Sequence, residues 1–268
     1  MEPKVVILCG GMGMRLREET EYRPKPLVEI GGKPILWHIM KIYAHYGFKE
    51  FILCLGYRGN MIKEYFLNYQ SLVSDFTVVL GNGRTAIQYH NDHEERNFVV
   101  SLVDTGLETL TGGRIKRIEP YIEGNTFLLT YGDGLSDLNV LELVKFHNAR
   151  GKVATVTAIK PASRFGVLDL KEDGTVAGFC EKPQDTRWIS GGFFVFNRKV
   201  FEYLEEDGAL EKGPLEKLAR NGQLVAYPHT GFWYAMDTYR EYQFLNELWA
   251  SGQAPWQVWE RKAAAVTG

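Results

Sequence analysis

Two cations and two carboxylates stand where phosphate chemistry could use them. Arg15 closes the run Leu8-Cys9-Gly10-Gly11-Met12-Gly13-Met14-Arg15, and Lys25 follows between Pro24 and Pro26. Glycines directly after an apolar strand let backbone N–H groups approach an anion with no Cβ in the way. Arginine forks onto phosphate oxygens, while lysine delivers a compact point charge. The flanking prolines fix φ on both sides of Lys25 and keep its backbone out of a helix, so the ammonium is presented at low entropic cost. A solvated basic loop would need neither the prolines nor the glycines upstream. The pattern points to a polyphosphate. It is not the dinucleotide fingerprint, because Leu16 takes the third glycine position, and it lacks the Gly-Lys-Ser/Thr of a Walker A loop.

The acidic candidates lie far downstream. Asp133 follows the apolar run TFLLTY (Thr126–Tyr131) and Gly132, at the carboxyl end of a buried strand, where open α/β sheets bind ligands. Asp237 follows a second apolar run, FWYAM, directly before a helix, where capping is the default reading. Between them, Glu181-Lys182-Pro183 again holds a lysine before a proline, and Gly191-Gly192 opens another strand. The stretch Asp104–Arg114 (DTGLETLTGGR) reads as a glycine-rich turn in which Thr111, Gly112 and Gly113 precede a donor, Arg114. Six histidines form no ordered triad, and His90 and His93 sit in a polar segment with no apolar shell for a metal.

These residues must be held by a sheet. Strand-like runs at Val5–Cys9, Phe51–Leu55, Thr77–Leu80, Phe98–Val103 and Thr126–Thr130 alternate with helix-like runs at Pro34–Tyr46, Met61–Tyr69 and Leu138–Ala149. Such alternation predicts right-handed crossovers and a mostly parallel sheet. After Gly151 the strands shorten: Val153–Ile159, Gly166–Leu170, Val176–Cys180, Phe193–Asn197, Leu224–Tyr227 and Phe232–Met236, with helical runs at Lys199–Leu204, Pro214–Arg220 and Thr238–Ala250. The expectation is one α/β unit, an open mixed and mostly parallel Rossmann-like sheet flanked by helices. Residues of about 1–150 would form one half, and about 151–268 an antiparallel, substrate-facing half.

Composition bounds the partners. Lys+Arg 31 against Asp+Glu 33 gives a net charge of -2, with no field to draw nucleic acid. No apolar run is long enough for a membrane helix, and no signal-peptide pattern opens the chain. Three cysteines without CxxC spacing read as free, buried thiols of a cytoplasmic protein. Trp249, Trp256 and Trp259 near the C-terminus predict a contact between subunits of a homo-oligomer.

The runs LCGGMGMRL and RPKPLVEIGGKPILWH resemble the sugar-1-phosphate nucleotidyltransferases, whose signature is G-G-x-G-T-R-L followed by P-K-P. LVDTGLETLTGGRIKR, TYGDGLSDL, SRFG, FCEKP, GGFFVFN and GFWYAMDT resemble its cytidylyl-transferring branch. Met14 stands where threonine is usual, and Ser190 where asparagine is. The resemblance implies CTP and α-D-glucose 1-phosphate as substrates and Mg²⁺ held by Asp133 and Asp237. It implies catalytic roles for Arg15 and Lys25, and a nucleotide site of Leu8 to Arg15, Lys25, Thr111, Gly112, Arg114, Gly132 and Asp133. Lys182 would grip the sugar phosphate and Glu181 the sugar hydroxyls, with Gly191 and Gly192 against the ring. The alternatives are another NTP (UTP or dTTP) or another sugar phosphate, a non-catalytic nucleotide sensor, and a nicotinamide-dependent oxidoreductase, which the broken glycine fingerprint disfavours.

Overall fold

The computed structural model describes residues 2–81, 84–161, 166–181 and 187–260. Seven strands make the central sheet: β1 (Val5–Leu8), β2 (Glu50–Leu55), β3 (Val99–Asp104), β4 (Thr126–Tyr131), β5 (Ala154–Ile159), β6 (Ile189–Asn197) and β7 (Leu224–Pro228). Their spatial order is β7-β5-β6-β4-β1-β2-β3. All pairings are parallel except the two made by β6, which runs against β4 and β5. The sheet is therefore mixed and mostly parallel, and strands from both sides of Gly151 belong to it.

Alternation along β1 explains its central place. Val5 and Ile7 enter one core layer with Ile35, Ile39 and Ile42 of the helix α1 (Ile35–His45). Val6 and Leu8 enter the opposite layer with Ile115, Phe127 and Phe201. A strand apolar on both faces is what a sheet covered on both sides requires.

Three expectations are corrected. Phe76–Gly81 is a strand, but it pairs only with Arg84–Tyr89 as a separate hairpin outside the sheet. Its residues are exposed, so neighbouring apolar side chains did not pull it into the core. Trp256 is fully buried inside this chain, beside Trp249 and His38, so it closes this chain's own core rather than a subunit contact. Cys9 and Cys54 are buried, but Cys180 ends a surface hairpin and is exposed.

Candidate active site

The strand order reverses at β1, whose neighbours β2 and β4 lie on opposite sides, and ligands of open α/β sheets bind at the carboxyl ends of strands beside such a point. A cleft of about 410 Å³ opens there, lined by Leu8, Cys9, Gly10, Gly11, Gly13, Met14, Arg15, Lys25, Tyr131, Gly132 and Asp133, and by Thr109, Leu110, Thr111 and Arg114 on the far side. Gly13 adopts φ +62°, a left-handed value that a side chain resists. Met12 and Met14 are exposed.

Against expectation the Lys25 backbone is helical: it begins a single turn of 3-10 helix, with Pro24 at its N-cap. Buried Pro26 lies within that first turn, where a missing N–H costs little, so the prolines do not exclude a short helix. The Lys25 ammonium donates to Asp133 Oδ2 at 2.6 Å and to Asp237 Oδ1 at 2.8 Å. Burial alone would lower the lysine pKa, but the two carboxylates override it and raise the pKa, so the ammonium stays charged. Arg15 reaches the same Asp237 oxygen at 3.0 Å while remaining 70% exposed, which leaves it easy to recruit elsewhere.

Two short strands bring the aspartates together across the chain. Gly134–Ser136 pairs antiparallel with Trp233–Ala235, in the register Gly134 to Ala235. The residues just outside that ladder, Asp133 and Met236, share a backbone hydrogen bond of 2.9 Å. Capping does not explain Asp237. The N-cap of the following helix (Tyr239–Ala250) is Thr238, in a capping box with Glu241. The Glu241 carboxylate also accepts from the Asp237 amide at 2.7 Å, which fixes the backbone. The Asp237 side chain meets Lys25 and Arg15, which line the cleft. Two convergent hard-oxygen donors that already hold the Lys25 ammonium fit a hard divalent cation. No set of three or more metal-ligating side chains occurs among the described residues.

The base-reading expectation changes. Thr111–Arg117 is a helix, not a turn. Gly112 and Gly113 face away from the cleft, since a Cβ on either would strike the backbone of Glu206 or Gly208 within 2.6 Å. Arg114 is buried, and it makes five hydrogen bonds: to the carbonyls of Leu55, Gly106, Gly10 and Leu107 and to the Thr105 hydroxyl. Its guanidinium ties three loops together rather than standing ready as a donor. A Cβ at position 10 would lie 2.2 Å from that guanidinium, so glycine is required there for packing as well as for approach to an anion.

Between β4 and β5, antiparallel β6 enters at the level where both end, with Phe193 opposite Thr130 and Ile189 opposite Ile159. Gly191 and Gly192 therefore lie on the same rim as Asp133. The Gly191 carbonyl accepts from Trp233 Nε1 at 2.6 Å, and the Tyr131 ring fills the space a Cβ on Gly192 would need. Glu181 is exposed at the end of the Val176–Cys180 strand. Lys182 and the SRF of the SRFG stretch lie outside the described residues. Sequence reasoning missed Tyr131, whose hydroxyl hydrogen-bonds Glu211 at the cleft wall. An aromatic ending an apolar strand just before Gly-Asp was its one available signal.

Comparison with known proteins agrees with this geometry. A solved structure, HddC from Yersinia pseudotuberculosis, superposes with a TM-score of 0.69 over 92% of this chain and 100% of its own, at 24% identity, a likeness of fold. Glucose-1-phosphate cytidylyltransferases from Salmonella typhimurium and Salmonella typhi are each 50% identical to this chain over 260 residues, 96% of this chain and 100% of theirs. The nucleotidyl transferase family model matches residues 4–238. A match of that extent, with relatives half identical along their whole length, makes this chain a member of the nucleotidyl transferase family.

Proposed function

We propose that this chain transfers the cytidylyl group of CTP to α-D-glucose 1-phosphate, giving CDP-glucose and pyrophosphate. The observation that carries the reading is the end-to-end 50% identity to cytidylyltransferases of that substrate pair. A cleft where Lys25, Arg15, Asp133 and Asp237 converge supports it.

The chemistry needs little acid or base. A phosphate oxygen of the sugar phosphate attacks the α-phosphorus of CTP in line. The bond from that phosphorus to the β-phosphate oxygen breaks, and pyrophosphate leaves with its electron pair. The second pKa of a phosphate monoester is about 6, so the nucleophile is ionised at neutral pH without a general base. The protein must neutralise two repelling anions and align them. Backbone N–H groups of Gly11 to Gly13 and the Arg15 guanidinium would hold the β- and γ-phosphates. Lys25 would stabilise charge growing on the leaving pyrophosphate. Lys182 and Glu181 would hold the acceptor, with Gly191 and Gly192 against its ring. Asp133 and Asp237 would hold Mg²⁺, which would supply positive charge to offset the repulsion between the phosphates. Thr109 to Thr111 and the carbonyls that Arg114 fixes would flank the base.

Self-association is part of the reading. Phe76, Val78, Leu80 and Ile87 share one face of their hairpin, and Leu168, Leu170, Val176 and Phe179 share one face of another. Leu80 is 84% exposed and Phe179 64% exposed, and such faces on two-stranded hairpins are not stable uncovered. A homo-oligomer would cover them, and light scattering tests it. No helix among the described residues is long and apolar enough to cross a membrane. The free cysteines and the substrates suit the cytoplasm.

The test is pyrophosphate release with Mg²⁺ and glucose 1-phosphate across CTP, UTP, dTTP and GTP. CTP should be turned over far faster than the others. Equal rates with all pyrimidine nucleotides would remove the cytidylyl assignment and leave the reaction class.

A further inference from the structure

The cations and carboxylates of the cleft already satisfy one another. Asp133 and Asp237 face Lys25 at 2.6 and 2.8 Å, and Arg15 adds a second cation on Asp237 at 3.0 Å. The Lys25 side chain is only 12% exposed, and the two carboxylates are 28% and 15% exposed. Charges this close and this poorly hydrated interact several times more strongly than in bulk water. The formal charges of the four groups cancel, so the aspartate pair does not offer a divalent cation the bare negative field that two adjacent carboxylates would. A metal ion taking those oxygens must displace the ammonium, and it then leaves Lys25 and Arg15 beside a dication with no anion of their own. A triphosphate resolves that conflict, because its oxygens give both side chains new partners.

We infer that Lys25 competes with the divalent cation for Asp133 and Asp237, so that the nucleotide-free protein binds metal poorly and the triphosphate admits the metal by drawing Lys25 and Arg15 onto its own oxygens. The inference rests on the reading of the two aspartates as the metal ligands. It makes one side chain serve two steps, as a counter-ion before substrate arrives and as a phosphate ligand afterwards. Coupling of this kind is reciprocal: metal must strengthen nucleotide binding by the same factor by which nucleotide strengthens metal binding.

Titration of Mn²⁺ into nucleotide-free protein, followed by the electron paramagnetic resonance signal of the free ion, reads this directly and involves no turnover. Lys25→Met should bind Mn²⁺ at least about tenfold more tightly than the unaltered protein, the size expected when one well-placed competing charge is removed. Adding Asp133→Asn to Lys25→Met should abolish the gain, which locates it at the aspartate pair. Equal or weaker Mn²⁺ binding by Lys25→Met overturns the proposal. Arg15→Met, altered at an exposed side chain, should show a smaller gain in the same direction. If Lys25→Met does not fold, Arg15→Met decides alone, and unchanged or weakened Mn²⁺ binding there overturns the inference. Failure of the underlying metal reading looks different: Asp133→Asn in the otherwise unaltered protein would keep its metal-dependent activity.

Discussion

Two arginines face the same cleft and do opposite work. Arg15, beside Lys25 and the aspartates, is 70% exposed and touches Asp237 at 3.0 Å. Arg114, on the Thr109–Thr111 side, is 5% exposed and spends its guanidinium on five backbone and hydroxyl acceptors. A guanidinium with exposed N–H groups can change partners as substrate arrives. One bonded to four carbonyls and a hydroxyl is held in place, because leaving would give up five hydrogen bonds at once. The Arg15 side of the cleft is therefore built from exposed charges, and the Arg114 side from loops tied in place.

The sharpest way to break this contrast lies at Lys25. Lys25→Ala should keep its fold yet lose turnover by about two to three orders of magnitude, the usual effect of removing one charge-stabilising donor. Steady-state kinetics beside a melting curve checks it, and near-normal turnover in a folded variant would return Lys25 to an ordinary surface loop.

Arg114→Met should do the reverse. It removes five hydrogen bonds, although the Leu55 carbonyl keeps the Thr105 amide and hydroxyl and the Gly10 carbonyl keeps the Tyr57 amide. It should cost about 2–3 kcal/mol of stability, measured by urea unfolding. Any loss of activity should track the loosened loops and fall on KM. A variant as stable as the unaltered protein would show that Arg114 is not a structural tie.

His38 supplies a buried reference away from the chemistry. Its Nδ1 accepts from Trp256 Nε1 at 3.3 Å, so Nε2 carries the proton and donates to the Ile30 carbonyl at 2.9 Å. Burial pushes its pKa down to about 4. Below the ordinary value of about 6.5 the unfolded chain takes up a proton that the folded chain refuses, so stability falls with pH. Between pH 6.5 and 4.5 that share should be about 2–3 kcal/mol, and it should be absent above pH 6.5. Urea unfolding at several pH values, compared with His38→Gln, measures it, and an identical acid slope in the variant would refute it.

Arg15→Ala should disturb the fold least. Its ion pair is exposed, and stability should stay within about 0.5 kcal/mol of the unaltered protein. Turnover should still fall by about tenfold, through the lost phosphate contact. A melting point that drops as far as that of Arg114→Met would erase the distinction between the two arginines.

Local features of the chain carried much of this arrangement. The glycine loop, the proline-clamped lysine and Asp133 at the end of an apolar strand are each written in a few consecutive residues, and strand-helix alternation is enough to expect the parallel sheet. The meeting of Asp133 with Asp237 is not local. It depends on two three-residue strands finding each other across the chain, and no periodicity announces a ladder that short. Arg114 was misread for a related reason. Glycines before an arginine look like a flexible donor loop until the Glu206–Leu210 backbone is seen packed against them. The C-terminal tryptophans looked like an interface because a sequence does not say which surface an aromatic covers, and here Trp256 covers α1 of its own chain.

The convergence of the two aspartates on one cation site is the central claim, and Asp237→Asn tests it most directly. Asparagine caps helices about as well as aspartate, and Thr238 already holds the cap, so this variant should melt close to the unaltered protein. Pyrophosphate release should nevertheless fall by most of its rate at ordinary Mg²⁺ and recover in part as Mg²⁺ is raised, because mass action offsets weakened binding. Full activity with unchanged Mg²⁺ dependence would contradict the account and remove Asp237 from the site.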